Sequence, residues 1–201
     1  RRLRPDCWGM RSSGTCISTP CAGCDSVFGK QRGKHHQIPV WPQQKSLVLD
    51  LDNTLWGGIV GDDGVDGIAI GPEVPEGQVY AEFQSYCKAL QTIGVVLAVD
   101  SKNDEANALA GLNHPDSVLH PDDFVCIKAN WDPKDQNLKA IAAELSLGAD
   151  SFVFADDNPA ERAIVLPSCR RGHPVLDGAE NYIKMLDHGG YFETTILSGA
   201  T

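Results

Sequence analysis

Three short apolar runs, each ending abruptly in a polar cluster, constrain this chain most. They are SLVLD at 46–50, VVLAV at 95–99 and SFVFA at 151–155. Four or five apolar residues without alternation suit strands buried on both faces. Between them the apolar spacing turns helical. Residues 76–93 place Val79, Tyr80, Phe83, Tyr86, Cys87, Leu90 and Ile93 on one face and stop at Gly94. Shorter helices are expected at 104–112, at 135–147 with Leu138, Ile141, Ala142 and Leu145 inward, from Pro159 onward, and at 179–186. Asp116–Leu119 and Val175-Leu176 read as weaker strands, and the Gly- and Asp-rich segment 57–75 as a small β-hairpin flap. Strands alternating with helices predict an α/β fold of three layers, α/β/α and Rossmann-like, around a parallel sheet.

Composition limits the function. Residues 1–45 hold eight Lys/Arg and two acids, leaving nine basic and 25 acidic residues for the rest of the 201-residue chain. An acidic main domain at 46–201 disfavours nucleic acid, whose phosphates attract Lys and Arg. It suits a site that gathers carboxylates around a divalent cation. No apolar run reaches the roughly 20 residues of a membrane span, and the basic start lacks an apolar h-region. A soluble, cytoplasmic protein is the expectation. Residues 1–45 lack periodicity and read as a loosely structured extension. Its Cys16-x4-Cys21-x2-Cys24 spacing, with Cys7 and His35-His36, has zinc-ligand types but no second spaced pair.

In a parallel α/β sheet, ligands bind beyond the C-terminal ends of the strands. There the sequence puts Asp50-Leu51-Asp52-Asn53-Thr54, then Asp100-Ser101-Lys102-Asn103-Asp104, then Asp156-Asp157-Asn158, with Lys134 ahead of a helix. Carboxylates at i and i+2 of an extended segment share a side. Asp50 can attack phosphorus, and Asp52 can protonate the leaving oxygen and then activate water. Their repulsion calls for a cation. Mg²⁺ takes hard oxygen ligands, here Asp50, the Asp52 carbonyl and Asp156 or Asp157. Ser101, Lys102, Asn103 and Lys134 supply donors and positive charge to a phosphoryl group. The same D-x-D alone would be an ordinary loop; the ordered set of four stretches carries the reading.

This set resembles the haloacid dehalogenase (HAD) superfamily, and more closely its FkbH-like branch of polyketide biosynthesis. The stretches that carry the likeness are SLVLDLDNTLWGGIVGDDG (46–64), VVLAVDSKNDEA (95–106), DDFVCIKANWDPKDQNLKAIAAEL (122–145), SFVFADDNPAER (151–162) and GGYFE (189–193). The resemblance implies a phosphatase and glyceryl transferase. Its donor is a small phosphorylated acyl donor, 1,3-bisphosphoglycerate-like, and its acceptor is the phosphopantetheine arm of an acyl carrier protein. It also implies a cysteine before the motif-two serine that holds the acyl unit. Here that position is Asp100, and a carboxylate does not replace a thiolate in thioester exchange. Cys87 and Cys126 read as core residues, with Cys126 the one cysteine near the Lys134 segment. Two other readings stay open: a simple phosphatase on a small phosphorylated acid, and a silent domain that docks a carrier or synthase.

Overall fold

The computed structural model describes residues 44–169, 174 and 176–192. The cysteine-bearing segment, including Cys7, Cys16, Cys21, Cys24 and the His35-His36 pair, lies outside the described residues, as do His173 and Val175. Among the described residues there are four strands: β1 (Ser46–Leu49), β2 (Val96–Ser101), β3 (Cys126–Ala129) and β4 (Phe152–Ala155). Six described α-helices accompany them: α1 (Val60–Asp63), α2 (Pro75–Thr92), α3 (Glu105–Leu112), α4 (Lys134–Leu145), α5 (Pro159–Val165) and α6 (Tyr182–His188).

The strands form one parallel sheet in the order β3-β2-β1-β4. Leu49 pairs with Val99 on one side and Ala155 on the other, so β1 is central and its C-terminal end adjoins those of β2 and β4. Alternation along the strands divides the core. Leu47, Leu49, Leu97, Val99, Val153 and Ala155 pack with residues of α2, α3 and α6. Val48, Ala98, Cys126, Phe152 and Phe154 pack with Leu138 and Ile141 of α4 and Val165 of α5. The result is the three-layer α/β/α arrangement expected. No helix among the described residues is long and apolar enough to cross a membrane.

Four expected elements differ. The flap is not a β-hairpin: a single antiparallel bridge, Gly57 to Ala69, closes a loop holding α1 and a 3-10 turn at Val65–Gly67. The Asp63 carboxylate accepts the Ile59 N–H at 2.8 Å, and such local side-chain acceptors favour a turn over a ladder. Asp116–Leu119 forms no strand. The buried Gln84 side chain accepts from Val118 N, Leu119 N and Ser117 Oγ at 2.8–3.0 Å, taking the place of a neighbouring strand. The edge strand is β3 instead. Leu176 is likewise outside any strand. Helix α4 begins at Lys134 itself and ends earlier than expected, where Ser146 adopts a left-handed backbone (φ 54°).

Candidate active site

Counting on from Val48, Ala98 and Phe154, the carboxylates Asp50, Asp100 and Asp156 continue the α4 face of three adjacent strands. Helix α4 answers with buried Lys134, Asn137, Leu138 and Ile141, spaced three and four apart. Its first turn is therefore polar toward the sheet edge and its second apolar toward the sheet centre.

Lys134 is 2% exposed. Its Nζ donates to Asp50 Oδ1 at 2.8 Å and to Asp156 Oδ2. Burial opposes the ammonium charge, but the two carboxylates outweigh it and hold the pKa above the usual lysine value. Asp156 Oδ1 accepts the Asn158 N–H at 2.7 Å. Burial, reinforced by Asp50, raises Asp156 to about 6. Asp157 is half-buried and is raised by the same two causes. One carboxylate oxygen each from Asp50, Asp156 and Asp157 lie within 4.8 Å of one another. Three hard oxygens at that spacing fit the ligand sphere of a small divalent cation.

Asp52 serves differently. Its carboxylate is not in that group. Oδ1 accepts from Trp56 Nε1 (2.9 Å) and Val60 N (3.1 Å), and Oδ2 accepts from Asn103 Nδ2 (2.9 Å). Burial raises its pKa despite those donors. The turn that carries it depends on Asn53 at φ 55°, whose side chain accepts the Gly58 N–H. Asn tolerates this left-handed backbone better than most residues.

A cavity of about 520 Å³ opens over these groups. Asp50, Asp52, Ser101, Lys102, Asn103, Lys134, Asp156 and Asp157 all line it. Every residue assigned from the sequence to phosphoryl, acid/base or metal chemistry thus converges there. Two of them have partners that the sequence did not reveal. Asn103 holds Asp52, and Lys102 Nζ is paired with Glu161 Oε1 at 2.8 Å. Asp100 is the exception. It is fully buried and does not line the cavity. Asn137 donates to its Oδ1 at 3.1 Å, while Oδ2 makes no hydrogen bond among the described residues. Burial lifts its pKa to about 7, so near neutral pH the charged and uncharged forms are both populated.

Sequence reasoning missed Trp56 as the fixing group of Asp52, and Trp131 and Asn107 at the cavity mouth. The first was legible only as part of the DNTLWGG string, since an indole donor four residues from an acid has no signature of its own.

Fold and site together define an α/β Rossmann-like domain with an acid-rich cavity at the C-terminal edge of its sheet. No family model matches the chain, and no curated protein does. Solved structures do. The chain is similar to the N-terminal part of a Bacteroides fragilis protein containing a phosphatase domain complexed with Mg, with 41% identity and a TM-score of 0.72 over 76% of this chain. It spans 41% of that chain's length. Two other matches are a predicted HAD-like family hydrolase from Porphyromonas gingivalis and a haloacid dehalogenase-like family hydrolase from Xanthomonas campestris. The first is 15% identical over 73% of this chain and 98% of its own, with a TM-score of 0.49. The second is 12% identical over 74% and 98%, with a TM-score of 0.47.

Proposed function

We propose that the chain is a Mg²⁺-dependent phosphoryl-transfer enzyme of the haloacid dehalogenase type, a phosphatase working through an aspartyl-phosphate on Asp50. The observation that carries this is the position of Asp50. It is paired to Lys134 at 2.8 Å and lies within one cation's reach of Asp156 and Asp157. The solved relative with 41% identity, a phosphatase domain complexed with Mg, supports it.

The Asp50 carboxylate attacks phosphorus, and the bond from phosphorus to the leaving oxygen breaks as that oxygen takes a proton from Asp52. Two donors already fill Asp52 Oδ1 and one occupies Oδ2. The transferable proton therefore belongs on Oδ2. Water then attacks the aspartyl-phosphate, Asp52 takes the water proton, and the bond from phosphorus to Asp50 breaks to release phosphate. Lys134 holds Asp50 in place, and its remaining N–H, with the buried Ser101 that lines the cavity, provides donors to the phosphoryl oxygens. Asp50, Asp156 and Asp157 would hold a Mg²⁺ ion, which when bound would supply compensating charge for the phosphoryl group.

The finer reading draws on the FkbH-like stretches: a three-carbon acyl phosphate as donor and an acyl carrier protein as acceptor. What bears on it is position 100. Asp100 is fully buried and does not line the cavity, and Cys87 and Cys126 are buried in the two halves of the core. Among the described residues no cysteine lines the cavity, and hydrolysis is the reading these residues favour.

The test is phosphate release from a panel of small monoesters with Mg²⁺. Release should stop with a chelator and with Asp50→Asn. Undiminished release by Asp50→Asn would reject the proposal.

A further inference from the structure

Once a phosphoryl group and its cation occupy the floor, the residues left for the rest of the substrate are those of the mouth. Trp131 lines it and is 70% exposed, an unusual state for so large an aromatic side chain. It is not loose: its Nε1 donates to Asp104 Oδ1 at 2.9 Å, which fixes the ring across the gap between two loops. Ile59 lines the mouth as well and is 43% exposed. The charged groups around them are Asp62, Asp104, Glu161 and Lys102. Lys102 is the one cation of the mouth among the described residues, and Glu161 already neutralises it at 2.8 Å. The other lining cation, Lys134, is committed to Asp50 and Asp156.

We infer that the site takes phosphate monoesters whose alcohol portion is planar or apolar and bears no negative charge, with Trp131 as its seat. This rests on the phosphatase reading above. A flat or apolar group covers exposed indole and aliphatic surface at the cost of little desolvation. A second carboxylate or phosphate on the alcohol would instead meet Asp62 and Asp104 with no unpaired cation among the described lining residues to receive it, and like charges brought together disfavour binding. Trp131 therefore sets specificity without touching the reacting atoms.

The test compares two alkyl monoesters of similar intrinsic reactivity, 2-phenylethyl phosphate and 3-phosphoglycerate, using the full chain with Mg²⁺. The expected kcat/KM favours 2-phenylethyl phosphate by about tenfold or more, the equivalent of one like-charge contact. Trp131→Ala should raise KM for 2-phenylethyl phosphate roughly three- to tenfold with a smaller change in kcat, the worth of one aromatic contact, and so shrink the preference. Asp62→Lys should improve use of 3-phosphoglycerate, most at low salt, since the effect is a screened surface charge. Equilibrium binding of both esters to the Asp50→Asn protein, followed by tryptophan fluorescence, should give the same order. Turnover with 3-phosphoglycerate preferred, or a preference untouched by Trp131→Ala, overturns the substrate class while leaving the phosphatase reading intact. Neither ester turned over nor bound overturns both.

Discussion

Lys134 and Asp50 stand 84 residues apart in sequence, yet the ammonium of one meets the carboxylate of the other at 2.8 Å, with both side chains almost fully withdrawn from solvent. The pairing ties the first turn of α4 to the end of β1. It also sets the charge of the site. Asp50, Asp156 and Asp157 approach one another closely, and Lys134 is the cation that makes this tolerable when no metal is bound.

Lys134→Met should therefore destabilise the metal-free protein by roughly 3–5 kcal/mol, because removing one partner leaves buried charge uncompensated. Urea unfolding with and without Mg²⁺ measures it. Mg²⁺ should recover part of the loss in stability, whereas phosphatase activity should stay low. Equal stability of wild type and variant without metal would show that the pair does not carry charge compensation.

Asp52→Asn should separate the two chemical steps. An alkyl phosphate needs a protonated leaving group, so its turnover should fall by roughly 10²–10⁴, the usual worth of a general acid. An aryl phosphate needs no such proton in the first step, so it should give a burst of phenol followed by slow phosphate release. Rapid-mixing kinetics on both substrates distinguish this from a plain loss of binding.

The stability of the metal-free protein should fall as pH rises from the acid range to about neutrality and level off above it. Asp100 has a folded-state pKa of about 7, above its unfolded value, because burial disfavours its charge. Such a group stabilises fully below the unfolded pKa and loses that contribution as pH climbs through the folded one. Asp156, raised to about 6, acts in the same direction. The Asp100 contribution is roughly 2–4 kcal/mol. Thermal melts between pH 5 and 8 should show the decline, and Asp100→Asn should flatten it. Parallel profiles for the two proteins would remove Asp100 as the cause.

Gly111→Ala should reach the site indirectly. A Cβ there would lie 2.7 Å from Trp56 Cη2 and 2.8 Å from Cζ2. Trp56 is fully buried and donates to Asp52. The overlap should cost about 1–3 kcal/mol, more than alanine's helix preference of about 1 kcal/mol returns. It should also lower kcat by displacing the indole from Asp52. Equilibrium unfolding and steady-state kinetics on the same preparation check both effects.

The strands, their parallel arrangement and the convergence of four polar stretches were legible because each rests on local pattern plus one topological rule. Apolar runs mark β1, β2 and β4, and chemistry gathers at their C-terminal ends. The edge strand β3 was not legible. Cys126–Ala129 mixes a lysine into four residues, three of them only partly buried, so it lacks the apolar run of a central strand. Asp116–Leu119 misled because Val118 and Leu119 look like a strand, while the Gln84 side chain that satisfies their backbone lies 34 and 35 residues away. The flap misled for a similar reason: its glycines suggest a hairpin, but the acceptors on Asp52, Asn53 and Asp63 wind it into turns. At the site, the carboxylates were readable by spacing. The supports of Asp52 from Trp56 and Asn103, and the burial of Asp100, depend on tertiary neighbours that spacing does not encode.

The most direct test of the account is to trap the phosphorylated protein. Asp52→Asn, mixed with an aryl phosphate and Mg²⁺ and quenched in acid, should carry one alkali-labile phosphate on the peptide that contains Asp50. Phosphate on any other residue, or full turnover with no adduct formed and Asp50→Asn still active, would contradict it.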